Sequence, residues 1–345
     1  MGRYWAYFDS DGNRLTDREE IDRLNAVGLP PAYENAWFCA DPDGHLQATG
    51  VDARGRKQYR YHPAFREKRE SAKFEGLLEF GKALPKLRRR VDRDVRRRKL
   101  TRETVLAAVV RLLDRQHIRV GNEEYAKQNK SFGATTLRSR HLRSKGQSLV
   151  MRFTGKHGIV HEARITDSNL KRICRRCQEL PGQMLFQYVN GDGVPQPVTS
   201  TDVNDYIRQA TGGDFTAKHF RTWSASVIAF DQLLKKADDA RISVKTVIEP
   251  VAEALGNTPA ISRKSYVHPR LLECVKEDPR DPLGGIDRPT GRKRLSSAEV
   301  GLLEFLARGG KRVRTRKTKP EERSASAEAV ERQSRELERA EAPAA

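Results

Sequence analysis

Four cysteines, Cys39, Cys174, Cys177 and Cys274, are too few and too scattered in a chain of 345 residues to lay out a disulfide framework. No apolar run approaches the length that spans a bilayer, and the first residues lack the apolar core of a signal peptide. A Walker-type glycine-rich loop is missing, which removes the commonest nucleotide site. Cys174-Arg-Arg-Cys177 has the spacing of a zinc or redox pair, but no second ligand pair lies near it and its surroundings read as a basic helix, so the spacing is taken as coincidence. The expectation is a cytoplasmic protein with no bound metal or cofactor.

Positive charge is abundant. Lysine and arginine number 66 against 46 aspartates and glutamates, a formal charge of +20. Such an excess attracts polyanions, nucleic acid before an anionic membrane. The length is enough for two domains with cores of their own.

Up to about residue 65, short apolar runs alternate with turns. Tyr4 to Phe8 precedes Asp9-Ser-Asp-Gly12, and Ala36 to Cys39 precedes Asp41-Pro-Asp-Gly44, the pattern of hairpins in a small antiparallel sheet. A short helix is expected from Asp17 to Asn25. In Arg54-Gly-Arg-Lys-Gln-Tyr-Arg-Tyr-His62 cations alternate with tyrosines; on a strand Tyr59 and Tyr61 share one face, Gln58 and Arg60 the other. That strip suits either a solvated edge or a nucleic-acid contact. From Phe65 the period becomes helical. Leu84, Leu87, Val91 and Val95 form a buried stripe, and Arg88, Arg89, Arg90, Arg96, Arg97 and Arg98 an opposite face suited to phosphate. Thr101 is placed to cap a second helix with Val105, Leu106, Val109, Leu112 and Leu113 inside. Ser148 to Ile165 reads as a hairpin with Lys156 at its tip, which excludes the helical metal spacing of His157 and His161. Helices resume over Asp167–Glu179, Ser200–Ala210, Thr216–Lys236 and Val244–Leu255. After Pro269 the chain turns polar; Ser296 and Glu299 have capping-box spacing for one docked helix, and beyond Gly309 a basic run, Lys311 to Lys319, opens a tail expected to be disordered.

Gly256-Asn-Thr-Pro259 ends the helix before it, and a short helix from Ile261 to Tyr266 then presents a phenol beside Arg263 and Lys264. A tyrosine alone is most often packing. Arg119-Val-Gly-Asn122, Lys156 and Lys218-His-Phe-Arg221 raise its significance, because two arginines, lysines, an amide and a tyrosine suit attack by a phenolic oxygen on a phosphodiester. Paired guanidiniums stabilise charge on the non-bridging oxygens without a metal.

Seven motifs in order resemble the type IB DNA topoisomerases, specifically the bacterial and poxvirus-like branch: Leu29-Pro-Pro-Ala-Tyr33 with Trp37, Asp41-Pro-Asp-Gly-His-Leu-Gln-Ala-Thr-Gly50, Arg54 to Tyr61, Arg119 to Asn122, Phe153-Thr-Gly-Lys156, Lys218 to Trp223 and Thr258 to Tyr266. The resemblance spans most of residues 1 to about 275. It implies an α+β fold: a β-rich DNA-binding domain over residues 1–75, a mainly α-helical catalytic domain with a β-hairpin over 76–275, and an extension over 276–345, closing as a C-shaped clamp on duplex DNA. By the same resemblance Tyr266 is the nucleophile that forms a 3′-phosphotyrosyl link, Arg119 and Arg221 clamp the phosphate, and Lys156 is the general acid aided by Lys218 or Arg119. Gln58, Tyr59 and Tyr61 would face the major groove, with Tyr125 and Lys130 contacting DNA from the helical side. Asn257 stands nine residues before Tyr266, where poxviral and nuclear enzymes place a histidine; an amide donates a hydrogen bond but carries no proton. The implied reaction needs neither ATP nor metal, and the expected state is a monomer. A tyrosine recombinase is the enzymatic alternative, although it ordinarily places histidine where Lys218 stands; a catalytically silent DNA-binding protein is the other.

Overall fold

The computed structural model describes residues 5–146, 148–235, 242–277, 283, 286 and 289–312, the side chains of 67–72, 157 and 309–312 excepted. The fold is α+β. Near the start lie α1 (Arg18–Ala26), capped by Asp17, and an antiparallel sheet of β1 (Glu34–Phe38), β2 (Leu46–Val51) and β3 (Lys57–Tyr61) in that order. A buried glutamine explains the motif around the β1–β2 turn: Gln47 Nε2 donates to the carbonyls of Asp41, Pro42 and Gly44 at 3.1, 3.1 and 2.7 Å. Among the described residues the expected first hairpin shows one bridge, Phe8 with Arg14. The Asp9 carboxylate closes that turn instead, accepting from the backbone N–H groups of Asp11 and Asn13.

The remainder is mostly helical. It runs through α2 (Pro63–Glu75), α3 (Leu77–Val95), α4 (Arg102–Gln116) and α5 (Glu123–Asn129) to a second antiparallel sheet, β4 (Leu142–Lys145), β5 (Ser148–Thr154) and β6 (Val160–Ile165). After α6 (Ser168–Gln178) and the small pair β7 (Gln187–Val189) and β8 (Pro195–Pro197) come α7 (Ser200–Thr211), α8 (Ala217–Lys235), α9 (Val244–Leu255), α10 (Pro259–Ser265), α11 (Pro269–Glu277) and α12 (Ser297–Arg312). Strand β4 and the β7–β8 pair have no alternating apolar pattern, so periodicity does not disclose them.

Helix α4 is the centre. Thr101 caps it, and every residue from Thr104 to Leu113 is buried, so the helix is enclosed on all sides rather than along one stripe. It packs on α3, α6, α7 and α8, and α8 in turn carries α9 and α12. One apolar cluster runs from Leu77 to Leu306 through these helices and the second sheet, while Tyr7, Leu24, Leu29 and Ala48 are buried outside it.

Two of the α3 arginines do not form the solvent-facing row expected of them. Arg88 donates to Asp114 at 2.8 Å and to Glu299 at 2.7 Å, and Arg90 to the fully buried Asp94 at 3.0 Å. Asp114 lies on α4 and Glu299 on α12, so counting charges along α3 alone misses them. The Ser296–Glu299 box forms as expected. Past Arg312, the expected disordered basic tail lies outside the described residues.

Candidate active site

Helix α4 stops at His117, a left-handed residue (φ 53°), and delivers Arg119 to the far end of the core. Gly121 (φ +103°) and Gly133 then let two segments lie back to back: a Cβ on Gly133 would sit 2.5 Å from the Gly121 nitrogen. The Ala134 and Thr135 N–H groups donate to the Arg119 and Val120 carbonyls at 2.8 and 2.7 Å, fixing the arginine's backbone. Its Nη2 donates to Asn257 Oδ1 at 2.9 Å.

Arg221 sits on the second turn of α8 and is 4% exposed. One Nη donates to the His117 carbonyl, the other to the Leu255 carbonyl at 3.0 Å, so this side chain ties together the ends of α4 and α9. Burial, reinforced by the Arg119 charge, pushes its guanidinium down to about 10, still charged at neutral pH. The buried side-chain atoms without a partner among the described residues include two donors of this site, Arg221 Nε and Asn257 Nδ2.

Gly256 (φ +59°) ends α9, and Thr258 caps α10 with Pro259 at its first position, so α10 starts two residues earlier than expected and closes just before Tyr266. The centre of the Tyr266 ring is 4.9 Å from the Arg221 guanidinium carbon and 5.0 Å from Lys73 Nζ. Burial acts to raise its hydroxyl pKa, but the charge and hydrogen-bonding pull of Arg221 and then Arg119 win, and the net is below the ordinary tyrosine value.

Arg119, Arg221, Asn257 and Tyr266 therefore converge from four segments. Lys156 sits exposed on the β5–β6 turn and lines, with Arg119, Asn122, Tyr125 and Phe132, an open cleft of about 420 Å³. Lys218 is exposed one turn before Arg221, and Lys130 is exposed at the end of α5; neither lines this cleft. On β3, Tyr59 and Tyr61 are exposed and stacked at 6.3 Å, whereas Gln58 points to the other face with its amide on Asp52 at 2.9 Å. The three do not share one surface. Three contributors escaped the sequence reading: the His117 carbonyl, Lys73 from α2, and His161 from β6. Nothing local marks the first two, while His161 was weighed only as a metal ligand.

The sequence model of the eukaryotic DNA topoisomerase I catalytic core matches residues 62–279, and that of the bacterial DNA topoisomerase IB N-terminal domain matches residues 4–52. The DNA topoisomerase 1B of Acanthamoeba polyphaga mimivirus is 32% identical over 290 residues, 81% of this chain and 86% of that protein. This chain belongs to the type IB DNA topoisomerases. The DNA topoisomerase I of Monkeypox virus is 23% identical over 294 residues, covering 79% of this chain and 90% of its own, and the DNA topoisomerase 1B of Vaccinia virus (strain Copenhagen) is 22% identical over 293.

Within this topoisomerase IB family member the Cys174–Cys177 pair is buried and unbonded, and burial pushes the Cys177 thiol up to about 12 and Cys174 higher still. Such thiols are packing, not chemistry. Among the described residues no group of His, Cys, Asp and Glu is arranged to hold a metal ion, and no helix is long and apolar enough to cross a membrane.

Proposed function

We propose that this chain relaxes supercoiled duplex DNA by transient cleavage of one strand. The Tyr266 oxygen attacks the phosphorus and its proton passes to water as the O–P bond forms; the P–O5′ bond breaks and the 5′ oxygen takes a proton from Lys156, which solvent reprotonates. Rotation of the freed 5′ strand relieves torsion, and attack by the 5′-hydroxyl restores the phosphodiester and releases the tyrosine. One phosphodiester is exchanged for another at each step, so the cycle requires no ATP. Arg119 and Arg221 hold the non-bridging oxygens and stabilise the charge that grows on them, with Asn257 adding a hydrogen bond. Lys218, one turn from Arg221, assists proton delivery. Residues 1–75 and 76–275 form the two lobes of a clamp, Tyr59 and Tyr61 facing DNA from one and Tyr125 and Lys130 from the other, with residues 276–345 as an extension. The working form is a monomer on the nucleoid.

The observation that carries this reading is the pair of unpartnered buried donors, Arg221 Nε and Asn257 Nδ2, beside a tyrosine held against a guanidinium. A negatively supercoiled plasmid incubated with the protein in EDTA, without ATP, should resolve into a ladder of topoisomers. Tyr266→Phe should abolish the ladder and leave DNA binding intact. A silent binder would only retard the plasmid, a recombinase would need paired sites, and a covalent adduct formed by Tyr266→Phe would exclude the nucleophile assignment. Binding should fall linearly with salt on a log–log scale.

A further inference from the structure

A histidine lies between the β5–β6 turn and the turn after α9. His161 pairs with Phe153 across β5 and β6, and its ring stacks on the Phe153 ring at 5.3 Å and 16°. Two glycines touch that ring. A Cβ on Gly155 would lie 2.5 Å from His161 Cδ2, and a Cβ on Gly256 would lie 2.7 Å from its Cε1. Lys156 follows the first glycine and Asn257 the second, so a single imidazole is flush against both backbones that carry them. The β5–β6 turn is tied to Gly155, whose N–H donates to the Ile159 carbonyl at 2.7 Å and whose carbonyl accepts from Gly158 at 3.2 Å. Burial first, then Arg119 and Arg221, hold the imidazole below the ordinary histidine range, so it is neutral at pH 7 and acts by its volume.

We propose that His161 is a positioning residue: its ring is the spacer that sets the Lys156 turn at a fixed height over Asn257 and the two arginines, and thereby aims the general acid at the leaving 5′ oxygen. The inference rests on the role given to Lys156 above. Misplacing a catalytic group by about 1 Å costs on the order of 10²-fold in rate, and the loss should fall on proton delivery alone.

The leaving atom separates that effect from general damage. Single-turnover cleavage is measured on two suicide duplexes, one with the natural 5′ oxygen at the scissile bond and one with a bridging 5′ sulfur, which departs as a thiolate without needing a proton. His161→Ala should slow the oxygen duplex about 10²-fold and leave the sulfur duplex within about threefold of wild type. His161→Phe, which restores ring volume without ring nitrogens, should recover most of the oxygen-duplex rate. In a Lys156→Ala background His161→Ala should add nothing further, as expected of residues acting through one step. Equal slowing of both duplexes by His161→Ala, no slowing of either, a Phe variant no better than Ala, or additivity with Lys156→Ala would each overturn the proposal. Failure of the wild-type protein to cleave either duplex would instead remove the topoisomerase reading beneath it. Equal slowing of both duplexes by Lys156→Ala would remove the general acid, and the spacer role with it.

Discussion

Arg221 carries two jobs that substitution can pull apart. Its Nη groups satisfy the buried carbonyls of His117 and Leu255, and its guanidinium faces the Tyr266 ring at 4.9 Å. Alanine leaves both carbonyls without a donor, at about 1–3 kcal/mol each, and removes a largely desolvated cation–π contact of about 2 kcal/mol. Relief of the guanidinium's own burial, the force that depresses its pKa, offsets part of this, and a net loss of about 2–5 kcal/mol is expected, within the range for breaking a buried polar network. Lysine keeps a charge and reaches one carbonyl, so Arg221→Lys should lose only about half as much. It has no planar fork, however, and cannot bind two phosphate oxygens in parallel. Cleavage by Arg221→Lys should therefore fall about 10²–10³-fold, the usual cost of one oxyanion donor. Urea unfolding followed through the buried Trp223, two residues away on α8, reads the stability; single-turnover cleavage of a suicide duplex reads the chemistry. Wild-type cleavage by Arg221→Lys would refute the claim that the guanidinium's shape is used on phosphate. Unchanged stability of Arg221→Ala would refute its anchoring of α4 to α9.

The Tyr266 pKa lies below its ordinary value because Arg221 and Arg119 outweigh burial, so the phenolate fraction, and with it the single-turnover cleavage rate, should rise with pH up to an inflection below ~10. In Arg119→Ala that inflection should move to higher pH; an unmoved inflection would assign it to another group. Glu299, 6% exposed, accepts from Arg88, Trp223 and the Ser296 backbone, so Glu299→Ala should cost about 3–5 kcal/mol in urea unfolding. Burial acts to raise the Glu299 pKa but Arg88 overrides it and the net is lowered, so its contribution is present above the unfolded value near ~4.3 and is lost as pH falls through the folded one. A Glu299→Ala stability deficit that does not shrink on acidification through that window would contradict this linkage.

Helices with strong periodicity and caps are legible in the sequence almost to the residue: α9 is bounded by Val244 and Leu255 as expected, and Thr101 caps α4. The Lys156 hairpin is legible because alternation and a Gly-rich turn coincide, but β4, its third strand, is a polar tetrapeptide that only tertiary pairing reveals. Charge was the least readable feature. Arg88 looks identical to its exposed neighbours in the row of arginines, and only the arrival of Asp114 and Glu299 tells it apart, whereas Arg90 pairs with Asp94 one turn along the same helix. The same limit hid Lys73 and His161, whose roles depend on what meets them from distant segments. The motifs place Arg119, Arg221, Asn257 and Tyr266 in order along the chain; their convergence is a product of α4, α8 and α9 ending at one place.

The site arginines are held by neutral acceptors, as Arg172 and Arg270 are by the Val95 and Phe305 carbonyls, and not by the carboxylates that hold several other arginines. Arg88, Arg111 and Arg138 are each held by carboxylates. Arg119 is instead oriented by the neutral Asn257 amide and Arg221 by two carbonyls, and among the described residues neither makes an ion pair within 4.0 Å. Neutral acceptors fix direction without cancelling charge, which leaves both cations to act on a phosphate and on the Tyr266 oxygen. Asn257→Asp tests this directly. It preserves size, places a carboxylate 2.9 Å from Arg119 Nη2, and removes the Nδ2 donor. Asn257→Ala removes that donor without adding a charge and should cost cleavage about 10²-fold. If unspent charge is the design, Asn257→Asp must be worse than alanine by about a further tenfold, as a carboxylate that pairs with Arg119 repels the phosphate and withdraws support from the phenolate. It should at the same time unfold at higher urea than Asn257→Ala, because the new ion pair is a stronger contact. An aspartate variant that cleaves as fast as the alanine variant would show that the charge of Arg119 is not what the reaction uses.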